Sequence, residues 1–178
     1  MKLSAKVDLT YKIVAIIAAV LAAGKIVYEV QESRMQHARE LRWKQANSAQ
    51  ELINGMVSDK LANDALTMLD WNGRVYETSE GEKVQIVMGE VIDALRTNNL
   101  AFSPKEIYIR DCIDAFLFRV EGMEQAIDNG LIEFRDVRFP MEYYARALEE
   151  YGIMPSLNQF IKEYRYKNAE QFFKRFDQ

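Results

Sequence analysis

The chain has 178 residues, 49% of them apolar and 28% charged, with a formal net charge of −4. That length supports one compact domain with a flanking segment rather than two domains, and the acidic balance argues against general affinity for nucleic acid. Cys112 is the one cysteine and His37 the one histidine, so an internal disulfide is excluded and a zinc centre lacks its usual ligands.

Residues 13–24, IVAIIAAVLAAG, form the longest uncharged apolar run, bracketed by Lys12 and Lys25. Twelve helical residues span about 18 Å, short of the ~30 Å hydrocarbon layer. Residues 9–28 recover that span if both lysines snorkel, with Tyr11 and Tyr28 then near opposite interfaces. Three readings stay open: a single-pass anchor, a cleaved signal peptide ending in the small residues near Gly24, and a buried or interfacial helix. Asp8 and the helical pattern beyond Lys25 oppose cleavage, and the anchor is the preferred reading. Lys2, Lys6 and Lys12 on one side face Lys25, Arg34, Arg39, Arg42 and Lys44 on the other. This asymmetry favours a cytoplasmic C-terminal domain. Ala15, Ala19 and Ala23 recur every four residues, beside Ala18 and Ala22, so one face of the run suits close helix–helix association.

Beyond the run, Ile26, Val27, Val30, Ala38, Leu41, Ala49, Leu52 and Met56 mark a continuing helix with no Pro or Gly between Lys25 and Asn54. The expected organisation is an anchor over residues 1–30, a helical stalk over 31–58 and a helical bundle over 59–178. Ser58 or Asp59 caps the next helix, which carries Leu61, Ala65, Leu66 and Leu69 and stops at Trp71-Asn72-Gly73. Residues 74–82 read as a polar loop in which Val75-Tyr76 pairs briefly as strand; Ser79 and Glu82 then match a capping box for a helix over Val84, Val87, Met88, Val91, Ile92 and Leu95 that stops at Thr97-Asn98-Asn99. Ser103, Pro104 and Glu106 give the clearest helix start, and Ile109, Ile113, Phe116, Val120, Met123 and Ile127 continue it to Asn129-Gly130. Pro140 is expected to open a helix closed by Gly152, and a last helix runs from Pro155 or Ser156 through Phe176. No convincing pair of alternating strands is visible, so the fold class is all-α: an N-terminal transmembrane or stalk helix followed by an antiparallel helical bundle.

The stretches ALTMLDWNGRVYE (65–77), IRDCIDAFLFRVEGMEQAIDNGLIEFRDV (109–137) and PMEYYARALEEY (140–151) resemble a group of bacterial proteins that are short, helical, often membrane-tethered and classed as a domain of unknown function. The resemblance implies a helical architecture at a bacterial inner membrane. It implies no activity, cofactor or catalytic residue.

Chemistry is hard to find in the residues themselves. Asp111 and Asp114 share a helix face, but the ExxH di-iron signature is missing and the pair reads as a solvated face. No GxSxG, GxxxxGK[ST] or GxGxxG occurs; His37 reads as an exposed stalk residue and Cys112 as a small core residue. Lys162, Arg165, Lys167, Lys174 and Arg175 interleave with Tyr164, Tyr166, Phe172, Phe173 and Phe176, a pattern of core packing ahead of lipid contact and of nucleic acid. A tie between the Trp71/Arg74 turn and Arg110 or Asp111 is expected to be structural. No catalytic, cofactor or metal residue is assigned. The expectation is a membrane-anchored interaction or scaffold protein, with lipid and a second copy of itself as partners, an unidentified protein partner left open, and no enzymatic role. The alternative is a membrane-active bacterial stress or phage-defence effector; an enzyme with an unfamiliar site ranks last.

Overall fold

In the computed structural model the first helix, α1 (Lys2–Ser58), runs uninterrupted for 57 residues. The structure describes residues 2–178 apart from Ser79, Leu100, Asp177 and Gln178, with side chains from residue 21 onward apart from Ala22 and Ala23. Two compact units result, Met1–Lys44 and Gln45–Gln178. The first is helix alone, and its large apolar side chains from Leu21 to Trp43 are exposed. Among the described residues no helix is long and apolar enough to cross a membrane. Within the run 13–24, only Leu21 has a described side chain, so the anchor expectation gains no support there.

The second unit begins inside α1, where Ala49 and Met56 are buried on the stretch read as stalk. Asp59 then caps α2 (Lys60–Asp70): its Oδ1 accepts the N–H groups of Leu61 and Ala62, and Trp71-Asn72-Gly73 ends the helix with Gly73 at φ +83°. The longest helix of this unit, α4 (Pro104–Asp128), packs against α2, against α3 (Met88–Ala94) and against α7 (Lys167–Lys174). Its stripe of Ile109, Ile113, Phe116, Val120 and Met123 is buried, together with Leu69, Leu148, Phe160 and Phe172 from the surrounding helices. Each such side chain contributes about 1.5–3 kcal/mol by leaving water. Ser103 and Glu106 cap the start of α4 reciprocally, and Gly130 at φ +69° follows its end.

All-α describes 76% of the chain, in seven helices among the described residues, but not a short β-ribbon. Strands β1 (Arg74–Glu77) and β2 (Lys83–Ile86) pair antiparallel with Arg74 opposite Ile86 and Tyr76 opposite Val84. Tyr76 and Ile86 point into the core while Val75 and Gln85 face out. The helical reading of Val84 and Val87 fails because β-branched residues alternating inward and outward suit a pleat. The helix α3 starts only at Met88, with Glu90 accepting the Val87 N–H at 3.0 Å, and ends at Ala94, short of the expected stop.

Two further boundaries differ from expectation. Helix α5 (Phe134–Glu150) begins before Pro140, which stands inside it. Asp136 accepts the Glu133 N–H and Val137 is buried, so the helix is capped and anchored upstream of the proline. The expected C-terminal helix is two: α6 (Met154–Tyr164) and α7, separated by Arg165 in the left-handed region at φ +63°. The break turns the chain so that Phe172 and Phe173 enter the core.

Candidate functional site

Of the anchor and association residues, Tyr11, Lys12, Ala15, Ala19 and Ala23 lie outside the residues with described side chains. Lys25 and Tyr28 are described and exposed, and Lys25 lies 3.7 Å from Glu29 one turn on. His37 is exposed on the same helix beside Glu40, as expected of a solvated position.

One polar cluster joins α2, β1 and α4. Lys60 Nζ donates to Asp64 Oδ2 at 3.0 Å, to the Glu77 carbonyl at 2.7 Å and to the Tyr108 hydroxyl oxygen at 2.9 Å. These three acceptors exhaust an ammonium group. Tyr108 has one proton and Asp64 Oδ2 lies 2.6 Å away, nearer than the Glu77 carbonyl at 3.1 Å. The proton therefore goes to the carboxylate and the carbonyl takes its bond from Lys60. Burial first, and then the bond to Asp64, push the Tyr108 phenol well above its ordinary value. Cys112 is one turn further along α4, with 0% exposure, and burial pushes its thiol up to about 12. A neutral, enclosed thiol is no nucleophile at physiological pH. Tyr76 completes the group from β1; burial pushes its phenol up to about 12 and its hydroxyl is buried with no partner. Beside the cluster a cleft of about 190 Å3 is lined by Glu80, Glu82, Val84, Lys105, Ile107 and Asp111, among others. Lys105 is held by Glu90 at 2.6 Å.

Arg110 is buried on the opposite side of α4 from the solvent. Its Nη1 donates to the carbonyls of Ala94 and Arg96, at the end of α3, and its Nη2 to the Tyr164 hydroxyl at 2.6 Å. Phe102, Phe160 and Tyr164 present their rings to the guanidinium at 4.2–5.2 Å. The expected tie to the Trp71/Arg74 turn is thus replaced by one to α3 and α6, while Trp71 and Asp111 are exposed. Asp114 is turned toward the interior instead, where burial raises its carboxyl and Tyr166 donates to it at 3.0 Å. Glu124, 1% exposed, takes a forked pair of bonds from Arg175, which fastens the chain end to α4. Among the described residues no group of three His, Cys, Asp or Glu side chains is placed to hold a metal ion.

No family model, curated protein or solved structure matches this chain.

Lys60, Tyr108 and the Glu77 carbonyl clasp the β-ribbon to two helices, and Arg110 and Arg175 do the same for α3, α6 and the end of α7. Sequence reasoning missed the clasp. The signals available were the Lys60/Asp64 pair at four-residue spacing and the inward alternation of Tyr76, Val84 and Ile86, which a helical reading of the region conceals.

Proposed function

We propose that this chain is a single-pass membrane-anchored interaction protein that associates with copies of itself and holds its helical bundle at the cytoplasmic face of a bacterial inner membrane. The observation that carries the reading is the continuity of α1 through residues 13–24 into a stretch whose described apolar side chains are exposed. A helix satisfies its own backbone groups, the condition for crossing lipid. Residues 9–28 would measure about 30 Å along the axis. The Ala15, Ala19 and Ala23 face supplies the small residues on which helices in lipid pack. Supporting an interaction role over catalysis, the buried polar groups of the bundle are arranged to join elements. The bacterial resemblance noted in the sequence agrees with this placement.

A second reading, a membrane-active stress or phage-defence effector, has one observation of its own. Lys12 and Lys25 enclose only twelve apolar residues, so an inserted helix strains a bilayer of ordinary thickness.

Cross-linking of the full-length protein in native membranes tests the first reading. Dimers or larger species are expected, with yield falling several-fold for Ala19→Leu. Monomers alone, in both proteins, would contradict it.

A further inference from the structure

The exposed apolar side chains of the first unit include one line along α1. Ile26, Val30 and Leu41 are exposed on it, and so is His37. At about 100° per residue these four positions fall within an arc of about 60°, over about 22 Å of helix axis. Counted back along the uninterrupted helix, Ala15, Ala19 and Ala23 stand on the same side. The repeat is eleven residues: Ala15, Ile26 and His37 are eleven apart, and so are Ala19, Val30 and Leu41. Seven-residue steps from Ala19 reach Ile26 but then Ser33 and Glu40, which would set a carboxylate in an apolar seam. Eleven residues in three turns give about 3.67 per turn, the period of helices that wind around each other right-handed.

Continuity and charge both make a second copy the occupant of this line. Copies inserted with one orientation run parallel, so helices that meet at Ala15, Ala19 and Ala23 bring Val30, His37 and Leu41 of the two chains together at equal heights. Under the anchor reading the line beyond Tyr28 lies in water, where burial of apolar surface drives helices together as it does not within lipid. Glu29 flanks the line on one side and Arg34 on the other, and Arg34 enters no ion pair among the described residues. In a parallel pair opposite flanks face each other, which sets each Glu29 near the partner's Arg34. His37 is the one polar side chain among the four, and a single polar residue at such a seam fixes its register.

We propose that residues 26–41 pair with the same residues of a second copy, parallel and in register, with Ile26, Val30, His37 and Leu41 at the seam. The contact is isologous, since each copy offers the same surface to the other. It carries the Ala15, Ala19 and Ala23 face out of the lipid as a paired stalk. The inference rests on the self-association proposed above and names the surface that extends it.

Single cysteines read such a seam directly, because a disulfide needs Cα atoms about 4.4–6.8 Å apart. The test uses the full-length protein in native membranes under mild oxidation, with the disulfide-linked dimer measured for one substitution at a time. Ala19→Cys, Ile26→Cys, Val30→Cys, His37→Cys and Leu41→Cys lie on the line; Glu32→Cys, Met35→Cys and Arg39→Cys lie across the helix from it, and Glu40→Cys reports the seven-residue alternative. The native Cys112 is fully buried and adds no background, and every substituted position from 26 to 41 is exposed, so the core is left intact. Dimer yields at Ile26, Val30, His37 and Leu41 are expected to exceed those at Glu32, Met35 and Arg39 at least fivefold, with Leu41→Cys above Glu40→Cys. Even yields across residues 26–41, or dimer from Ala19→Cys alone, overturn the paired stalk and leave the self-association reading standing. Glu40→Cys above Leu41→Cys also overturns this seam. No dimer at any position, Ala19→Cys included, removes both.

Discussion

Tyr108 and Tyr76 sit on neighbouring elements with opposite hydrogen-bond status, and that difference should be measurable. The Tyr108 hydroxyl gives its proton to Asp64 and receives Lys60, so Tyr108→Phe removes two bonds at the clasp. A loss of about 1–3 kcal/mol in denaturant unfolding is expected. The Tyr76 hydroxyl has no partner, so Tyr76→Phe should change stability little or raise it. The reverse order of the two variants would mean that the clasp does not hold the ribbon. Apolar spacing made much of this core legible: Ile109, Ile113, Phe116 and Val120 all fall where period 3.6 places them. Polar partners were not legible, because a side chain such as Arg110 reaches carbonyls sixteen residues away and no spacing rule encodes that distance.

Helix starts were the elements best written in the sequence. Asp59 and Ser103 both act as caps, since a short oxygen-bearing side chain before an apolar stripe has few other uses. At Ser103 the cap carries a pH signature. The Arg96 guanidinium first, then the Ser103 N–H and hydroxyl, hold the Glu106 carboxyl down to about 2 from an ordinary 4.5. A depressed folded-state value stabilises above the unfolded value, and this contribution is lost as pH falls from 4.5 through about 2. Glu106→Gln should therefore flatten the fall in urea midpoint between pH 5 and pH 2.5; an unchanged slope would count against the cap. Where propensity misled, packing decided. Pro140 marks a helix start by local rules, yet it lies within α5 and has no N–H with which to bond back one turn. Pro140→Ala is expected to stabilise by about 1–3 kcal/mol in thermal unfolding, and destabilisation would show that the proline is required for packing. The β-ribbon was half legible: Val75-Tyr76 reads as strand, but its partner was absorbed into a helical stripe by Val84, Val87 and Met88.

At the scale of the whole molecule, the chain combines a basic helix with an acidic bundle, and all of the buried chemistry described belongs to the bundle. The net negative charge of the bundle opposes its spreading on an anionic lipid surface. The apolar run is plain in the sequence, and the functional reading stands on where that run resides. Alkaline carbonate treatment of membranes from cells making the full-length protein addresses this most directly. The account predicts that the protein stays with the pelleted membranes and that a chain beginning at residue 31 is released; full-length protein in the supernatant would contradict it.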